Sequence, residues 1–332
     1  MAKRLSGSNL KLLARLVRLH MHSGLRGATR LTYLLAHRFK SLQQVPIDLP
    51  GWNPVYIDLR LSNAHLLLME SPYAGLWREL DEVAVMQRFV QDGDVAFDIG
   101  ANIGLHSILL ANLIGPQGRL HAFEPNTEMV HALSRTISEL GNATLHPVAL
   151  SDRDEEAALF VPPDDSMASL TNWTAATAFR NDGESHTVGC QLRRMDDLVK
   201  DGKLPQPDFI KCDVEGAELL VFQGGHRTLD RLDAPIILFE VNKNASLGFG
   251  YGASEAKDFL AGLELPQYEF FQVQSGGKLK RLQEANCFMN VLAVPRSKIQ
   301  RWPELVGRVE IPTEVFPPEI QIKLTRTSRY PL

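Results

Sequence analysis

The chain has 332 residues, 44% hydrophobic and 22% charged, with a formal net charge of -4. These values exclude a disordered or fibrous polypeptide, and the length suits one large core with extensions. No apolar run approaches the ~18 to 20 residues that span a bilayer, and the separated cysteines Cys190, Cys212 and Cys287 form neither a disulfide framework nor a zinc-ligand pattern, so a reducing, cytoplasmic setting is expected.

The charge is unevenly distributed. Residues 1–40 hold nine Lys or Arg and no acid, which leaves about -13 for the remainder. Lys11, Arg15, Arg18 and His22 recur at helical spacing, opposite Leu12, Leu13, Leu16, Val17 and Leu19. This pattern predicts a basic amphipathic helix. Three uses fit it: docking on the acidic remainder, peripheral contact with an anionic membrane surface or polyanionic substrate, or a targeting segment. Residues 46–52 read as a linker, residues 55–61 and 65–69 as a strand hairpin, and residues 79–90 as a helix with Leu80, Val83, Met86 and Val90 on one face.

The central stretch is Asp94-Val-Ala-Phe-Asp-Ile-Gly-Ala-Asn-Ile-Gly104. It reads as a buried strand, a glycine turn and a helix start. Gly100, Ala101, Asn102 and Gly104 form a turn where backbone meets ligand. Asn102 stands where the dinucleotide fingerprint requires its second glycine. Asp98 suits a cationic ligand better than a pyrophosphate, which favours S-adenosylmethionine (SAM). The next strand ends in Glu124-Pro125, about twenty residues on, where an acid can hold both ribose hydroxyls. Asn126 caps a helix to about Leu140, and a third strand over residues 143–148 leads to Ser151 and Asp152, placed to meet the adenine end.

Residues 157–161 and 187–193 read as strands around a polar insertion suited to substrate selection. The fourth strand, residues 208–213, delivers Asp213 and then Glu215 beyond its C-terminal end. The fifth, residues 234–241, ends near Glu240 and Asn242. Residues 268–273 and 287–294 read as an antiparallel end hairpin, and residues 296–332 as a Pro-rich tail.

The segments DVAFDIGANIG (94–104), GRLHAFEPN (118–126), HPVALSD (146–152), PDFIKCDVEGAELLVFQGG (207–225) and APIILFEVN (234–242) resemble, in order, those of the FkbM family of SAM-dependent methyltransferases. The resemblance implies a Rossmann-like class I methyltransferase fold: a seven-stranded, mostly parallel sheet with an antiparallel end hairpin, here with an N-terminal helical and hairpin extension. The implied organisation is a basic helical arm over 1–45, a hairpin or linker over 46–80, the methyltransferase domain over 81–295 and a tail over 296–332. It further implies that Asp213 lies near the methionine part or methyl group of SAM, that Glu82 lies near the cofactor, and that Ala168-Ser169-Leu170 matches a family pattern.

The expected activity is methyl transfer to a hydroxyl of a sugar, glycan, lipid-linked saccharide or natural product. Such an acceptor must lose its proton, so a carboxylate or histidine within reach would assist. Asp213, Glu240 and Glu215 are the catalytic candidates, with His106 and His226 nearby. No metal is required by the family, although Asp213, Glu240 and Asn242 resemble the oxygen ligands of Mg2+-dependent O-methyltransferases. A nicotinamide-dependent oxidoreductase and a non-catalytic SAM-fold module are the alternatives. A nucleic-acid partner is disfavoured by the acidic catalytic region and by Cys212-Asp-Val-Glu-Gly216 where a DNA amino-methylase carries Asn/Asp-Pro-Pro-aromatic.

Overall fold

The computed structural model describes residues 15–17, 19, 28–49, 51–61, 64, 79–176 and 185–305. An eight-stranded sheet organises the chain. In chain order the strands of the whole structure are β1 Val45–Ile47, β2 Val55–Ile57, β3 Val95–Ile99, β4 Arg119–Phe123, β5 Ala143–His146, β6 Ala149–Leu150, β7 Glu155–Val161, β8 His186–Arg193, β9 Phe209–Cys212, β10 Ile236–Val241, β11 Glu269–Gln274, β12 Lys278–Arg281 and β13 Met289–Val294. The large sheet has the order β12-β11-β13-β10-β9-β3-β4-β5. Strands β5, β4, β3, β9 and β10 run parallel, and β13, β11 and β12 are joined by antiparallel pairings.

The helices are α1 Ala28–Arg38, α2 Leu80–Phe89, α3 Leu105–Leu113, α4 Thr127–Ser138, α5 Met195–Lys200, α6 Glu218–Gly224, α7 His226–Leu229, α8 Lys243–Gly248, α9 Glu255–Ala261 and α10 Arg296–Ile299. Parallel strands must be joined by crossovers, and helices such as α3 and α4 supply them. Because the sheet is covered on both faces, its central strands are mostly apolar, with Asp98 on β3 and Lys211 on β9 as buried exceptions. Two buried clusters result. Leu120, Leu238, Phe271 and Leu292 point to one face; Phe97, Phe123, Phe222 and Phe239 point to the other.

The sequence expectation of seven strands lacks one. The charged connector after Gly277 forms β12 and pairs with β11 through Phe271↔Arg281 to Gln274↔Lys278. Its residues are largely exposed, as suits a charged edge strand. The N-terminal hairpin also differs. The partner of β2 is β1, a segment read as linker from Pro46 onward, in the register Val45↔Ile57 and Ile47↔Val55. All six residues of the pair are buried. Pro46 is tolerated in so short an edge pair. The strand expected over 65–69 and most of the basic helix over 11–22 lie outside the described residues. Of that helix, Leu16 and Leu19 are exposed, while Val17 packs against the core.

Candidate active site

The turn after β3 is shaped by positive φ. Gly100 has φ 84°, and a Cβ there would lie 1.9 Å from the Asp213 carbonyl oxygen. Asn102 has φ 52°, a left-handed conformation that Asn tolerates better than most residues. Gly104 has φ 88°, and a Cβ there would also meet Leu133 Cδ1 at 2.8 Å. The turn therefore sits pressed between β9 and α4.

Glu124, at the end of β4, braces this turn. One of its carboxylate oxygens accepts from the Asn102 N–H at 2.8 Å and the other from the Asn126 N–H at 2.8 Å. Burial raises its pKa to about 7, and the two backbone hydrogen bonds oppose part of that rise. Each oxygen keeps a lone pair for a ligand.

A cavity of about 330 Å³ lies over the C-terminal ends of β3, β4, β9 and β10. Gly100, Ala101, Asn102, Glu124, Pro125, Asp213, Glu215 and Glu240 line it. So do Phe123, Met129, Val148, Leu150 and Leu159, which make an apolar slot beside Glu124. Four residues expected at the cofactor stand elsewhere. Asp98 is fully buried behind the turn, where its Oδ2 accepts from Ser107 Oγ at 2.6 Å. Gly104 serves packing. Ser151 and Asp152 are outside the lining, because β6 pairs with β8 and carries Ser151 beneath α6. The Ser151 carbonyl oxygen lies 1.8 Å from where a Cβ on Gly224 would sit. Ser151 Oγ donates to Asp152 Oδ1 at 3.1 Å. Apolar side chains from residues 148–150 occupy the cavity wall instead.

The acids at the strand ends converge. Oxygens of Asp213, Glu215 and Glu240 all lie within 4.8 Å of one another. Lys211, on β9 and 4% exposed, donates from Nζ to Asp213 Oδ2 at 3.1 Å. Burial would lower the Lys211 pKa, but Asp213, Asp98, Glu82 and Glu79 outweigh it and hold the ammonium protonated. Sequence reasoning missed this residue, although a lysine between Ile210 and Cys212 in an apolar strand is the signal that finds it. Glu215 has φ 51°, and its carbonyl accepts from Ser169 Oγ at 2.8 Å, which ties the insertion to the site. Burial, reinforced by Asp213, pushes the pKa values of Glu215 and Glu240 well up. Glu240 Oε2 is buried and lacks a hydrogen-bond partner among the described residues. A second cavity, of about 600 Å³, shares Glu215 and Glu240 with the first.

A second cluster closes the other side. His106 Nε2 lies 3.0 Å from Glu79 Oε2 and 3.7 Å from Glu82 Oε2. Burial lowers the His106 pKa, and Glu79 and Glu82 more than restore it. Glu82 accepts from Asn290 Nδ2 and has its pKa raised to about 7 by burial. Glu79 and His106 line the cavity; Glu82 stands behind them. His226 is outside both cavity walls and packs edge-on against Phe259.

Residues 98–270 match the methyltransferase FkbM domain. The hexuronic acid methyltransferase AglP of Haloferax volcanii is 26% identical over 168 residues, 49% of this chain and 65% of that protein. The 2-O-methyltransferase NoeI of Sinorhizobium fredii is 27% identical over 148 residues, 41% of this chain and 59% of that protein. The matches thus span less than two thirds of either relative. Among solved structures, a precorrin-6y C5,15-methyltransferase of Geobacter metallireducens aligns at TM-score 0.36 and 18% identity, covering 65% of this chain and 89% of that one.

The cavity fits SAM. An apolar slot suits adenine, the braced Glu124 suits ribose hydroxyls, and a wall with more carboxylates than ammonium groups suits a ligand bearing a sulfonium and an ammonium. The family match covers more than half of the chain, and the protein belongs to the FkbM family of SAM-dependent methyltransferases.

Proposed function

We propose that this chain transfers a methyl group to a hydroxyl of a sugar, with Glu240 as the group that accepts the hydroxyl proton. One observation carries the assignment to Glu240: it lines both cavities, and its Oε2 has no hydrogen-bond partner among the described residues. Asp213 is less suited, since Lys211 already occupies one of its oxygens. Burial raises the Glu240 pKa, so the ionised carboxylate, once formed, is a stronger proton acceptor than an exposed one. The cofactor supplies an electrophilic methyl and a neutral thioether leaving group. The protein aligns the acceptor oxygen and receives its proton, so that the products are a methyl ether and S-adenosylhomocysteine (SAH). Glu124 and the turn from Gly100 to Asn102 hold the cofactor in this reading. The sugar acceptor is supported by AglP, whose name specifies hexuronic acid, and the oxygen acceptor by NoeI, named a 2-O-methyltransferase.

The test combines binding and turnover. Calorimetry is expected to show saturable binding of SAM and SAH and none of NADH, and SAH release is expected to require a sugar. In Glu240→Gln, turnover is expected to fall by about 10²-fold with SAM affinity unchanged. Wild-type turnover in that variant would move the proton acceptor to Asp213 or Glu215. NADH binding without SAM binding would replace the reaction class.

A peripheral membrane contact through residues 1–40 belongs to the same proposal. Leu31, Leu34, Leu35 and Phe39 are exposed on and after α1, beside Arg30, Arg38 and Lys40. Apolar groups rimmed by cations suit an anionic lipid surface. No helix among the described residues is long and apolar enough to cross a membrane. Co-sedimentation with phosphatidylglycerol vesicles, but not phosphatidylcholine vesicles, is expected. Equal behaviour with both would remove this contact.

A further inference from the structure

The second cavity adjoins the methyl-transfer site and has chemistry of its own. Beyond Glu215 and Glu240, its wall comes from three places in the chain, one of them Met167 and Trp173 of the insertion. Asn242, Lys243 and Asn244 follow β10 into α8, and Asn286, Cys287 and Phe288 precede β13. The antiparallel pairing of β10 with β13, including Val241↔Met289, brings the two segments side by side. The insertion fixes the wall from a third direction. Trp173 packs on α8 so closely that a Cβ on Gly248 would lie 2.7 Å from the Trp173 Cβ. Asn242 is held by accepting from the Ala245 N–H at 3.3 Å. The cavity volume, about 600 Å³, falls within the ~300 to 1,000 Å³ of small-molecule sites.

The exposed amides of Asn244 and Asn286 each present two donors and one acceptor, the mixed polarity that vicinal hydroxyls require, while the Asn242 amide also donates to Glu215 Oε2 at 3.4 Å. Phe288 is 66% exposed, so its ring offers an apolar surface within a polar wall. Lys243 is the one Lys or Arg among the lining residues, is exposed, and makes no salt bridge among the described residues. Glu215 and Glu240, ionised or protonated, offer no positive charge to hold an anion at their end of the cavity. A ligand with one carboxylate must therefore turn it away from them and toward Lys243, which leaves a hydroxyl facing Glu240.

We propose that this cavity is the acceptor subsite and that it selects an acidic sugar, a uronic acid unit whose ring lies on Phe288 and whose carboxylate pairs with Lys243. The inference rests on the methyl-transfer reading above and narrows its acceptor. It does not require the sugar to be free or chain-linked.

Cys287 supplies the readout. It is exposed in this wall, whereas Cys190 and Cys212 are buried, so a maleimide reports on the cavity selectively. The rate of Cys287 alkylation by N-ethylmaleimide is measured on the full chain with methyl glucuronide, with methyl glucoside and with neither, each with and without SAH. SAH affinity is measured in parallel by calorimetry. Methyl glucuronide is expected to slow alkylation at least threefold at saturation, and methyl glucoside to need about tenfold more sugar for the same effect. Lys243→Ala is expected to abolish the difference between the two sugars. Phe288→Ala is expected to weaken both, and SAH affinity to stay within twofold of wild type in both variants. Protection by neither sugar, or protection unchanged in both variants, overturns the subsite even where SAH binds. Protection without SAH binding keeps the subsite and overturns the methyl-transfer reading instead.

Discussion

Lys211 shows how one buried charge organises a site. Its ammonium lies among Asp213, Asp98, Glu82 and Glu79, and an unpaired lysine at this depth would be very costly. Lys211→Met is therefore expected to destabilise the fold by ~3 to 5 kcal/mol, because it strands Asp213 and Asp98 without their counter-charge. Chemical denaturation measures this, and an unchanged midpoint would show that Lys211 does not stabilise the fold through these acids. Glu124 gives a pH-dependent case. Its pKa rises from 4.5 unfolded to about 7 folded. The folded state thus holds a proton that the unfolded chain has released between those values. Its contribution favours folding most below about pH 4.5, declines as pH rises toward 7, and is level above. The full change is of order 3 kcal/mol. Binding runs the other way, since only the carboxylate attracts a cationic cofactor and accepts from both ribose hydroxyls. SAM affinity is expected to strengthen between pH 6 and 8. In Glu124→Gln it is expected to be about tenfold or more weaker at pH 8 and nearly flat with pH. A wild-type profile in a folded Glu124→Gln protein would exclude the ribose role. Glu124 was legible from its place at a strand end, whereas the role of Lys211 depends on acids that only the tertiary fold gathers around it.

At the scale of elements, the parallel core was legible because each strand is a short apolar run bounded by glycine, proline or a helix cap. The Asn126 cap is present as expected, with its side chain accepting from the Glu128 N–H at 3.0 Å. What the pattern hid were pairings decided by partners. A charged run such as Lys278 to Arg281 has no alternation to announce a strand, yet the free edge of β11 accepts it. Ser151 and Asp152 stood at a strand end as the rule for open sheets requires, but β6 leaves the large sheet for β8 and takes them away. The glycine turn carries the strongest element-level prediction. Gly100→Ala combines a left-handed backbone with a Cβ 1.9 Å from the Asp213 oxygen, and is expected to cost about 3 kcal/mol and to displace Asp213. Gly93→Ala has a similar φ of 87° but nothing within 4 Å, and is expected to cost ~1 to 2 kcal/mol without loss of SAM affinity. Thermal melts and SAM titration of the pair separate backbone strain from close contact. Equal losses in both would mean that the approach of β9 to the turn is not tight.

Over the whole molecule, the segments outside the family match complete one face of the sheet. Leu42, Val45, Leu49, Val55 and Ile57 belong to the same buried cluster as Ala96, Leu120 and Phe209. The hairpin is also tied to α4: the Tyr56 N–H donates to Thr136 Oγ1 at 2.9 Å and Asn53 Nδ2 donates to the Glu139 carbonyl at 2.8 Å. From the other end, Ile299, Trp302 and Leu305 enter the cluster, with the Trp302 ring 4.7 Å from that of Phe89. Because β1 and β2 share the core of the sheet, the hairpin and the catalytic domain are expected to fold as one unit. Two shortened chains separate the arm from the core. A chain beginning at Lys40 keeps Leu42, β1 and β2, and is expected to melt cooperatively and bind SAH as the full chain does. A chain beginning at Gly51 loses Leu42, Val45, Ile47 and Leu49, each buried. At ~1.5 to 3 kcal/mol per side chain, the loss is comparable with the ~5 to 15 kcal/mol by which proteins of this kind are stable. That chain is expected to expose one face of the sheet, lose cooperative melting and fail to bind SAH. Cooperative melting with intact SAH affinity would place the hairpin outside the folding unit, and the sheet face beneath it would then have to be stable without β1.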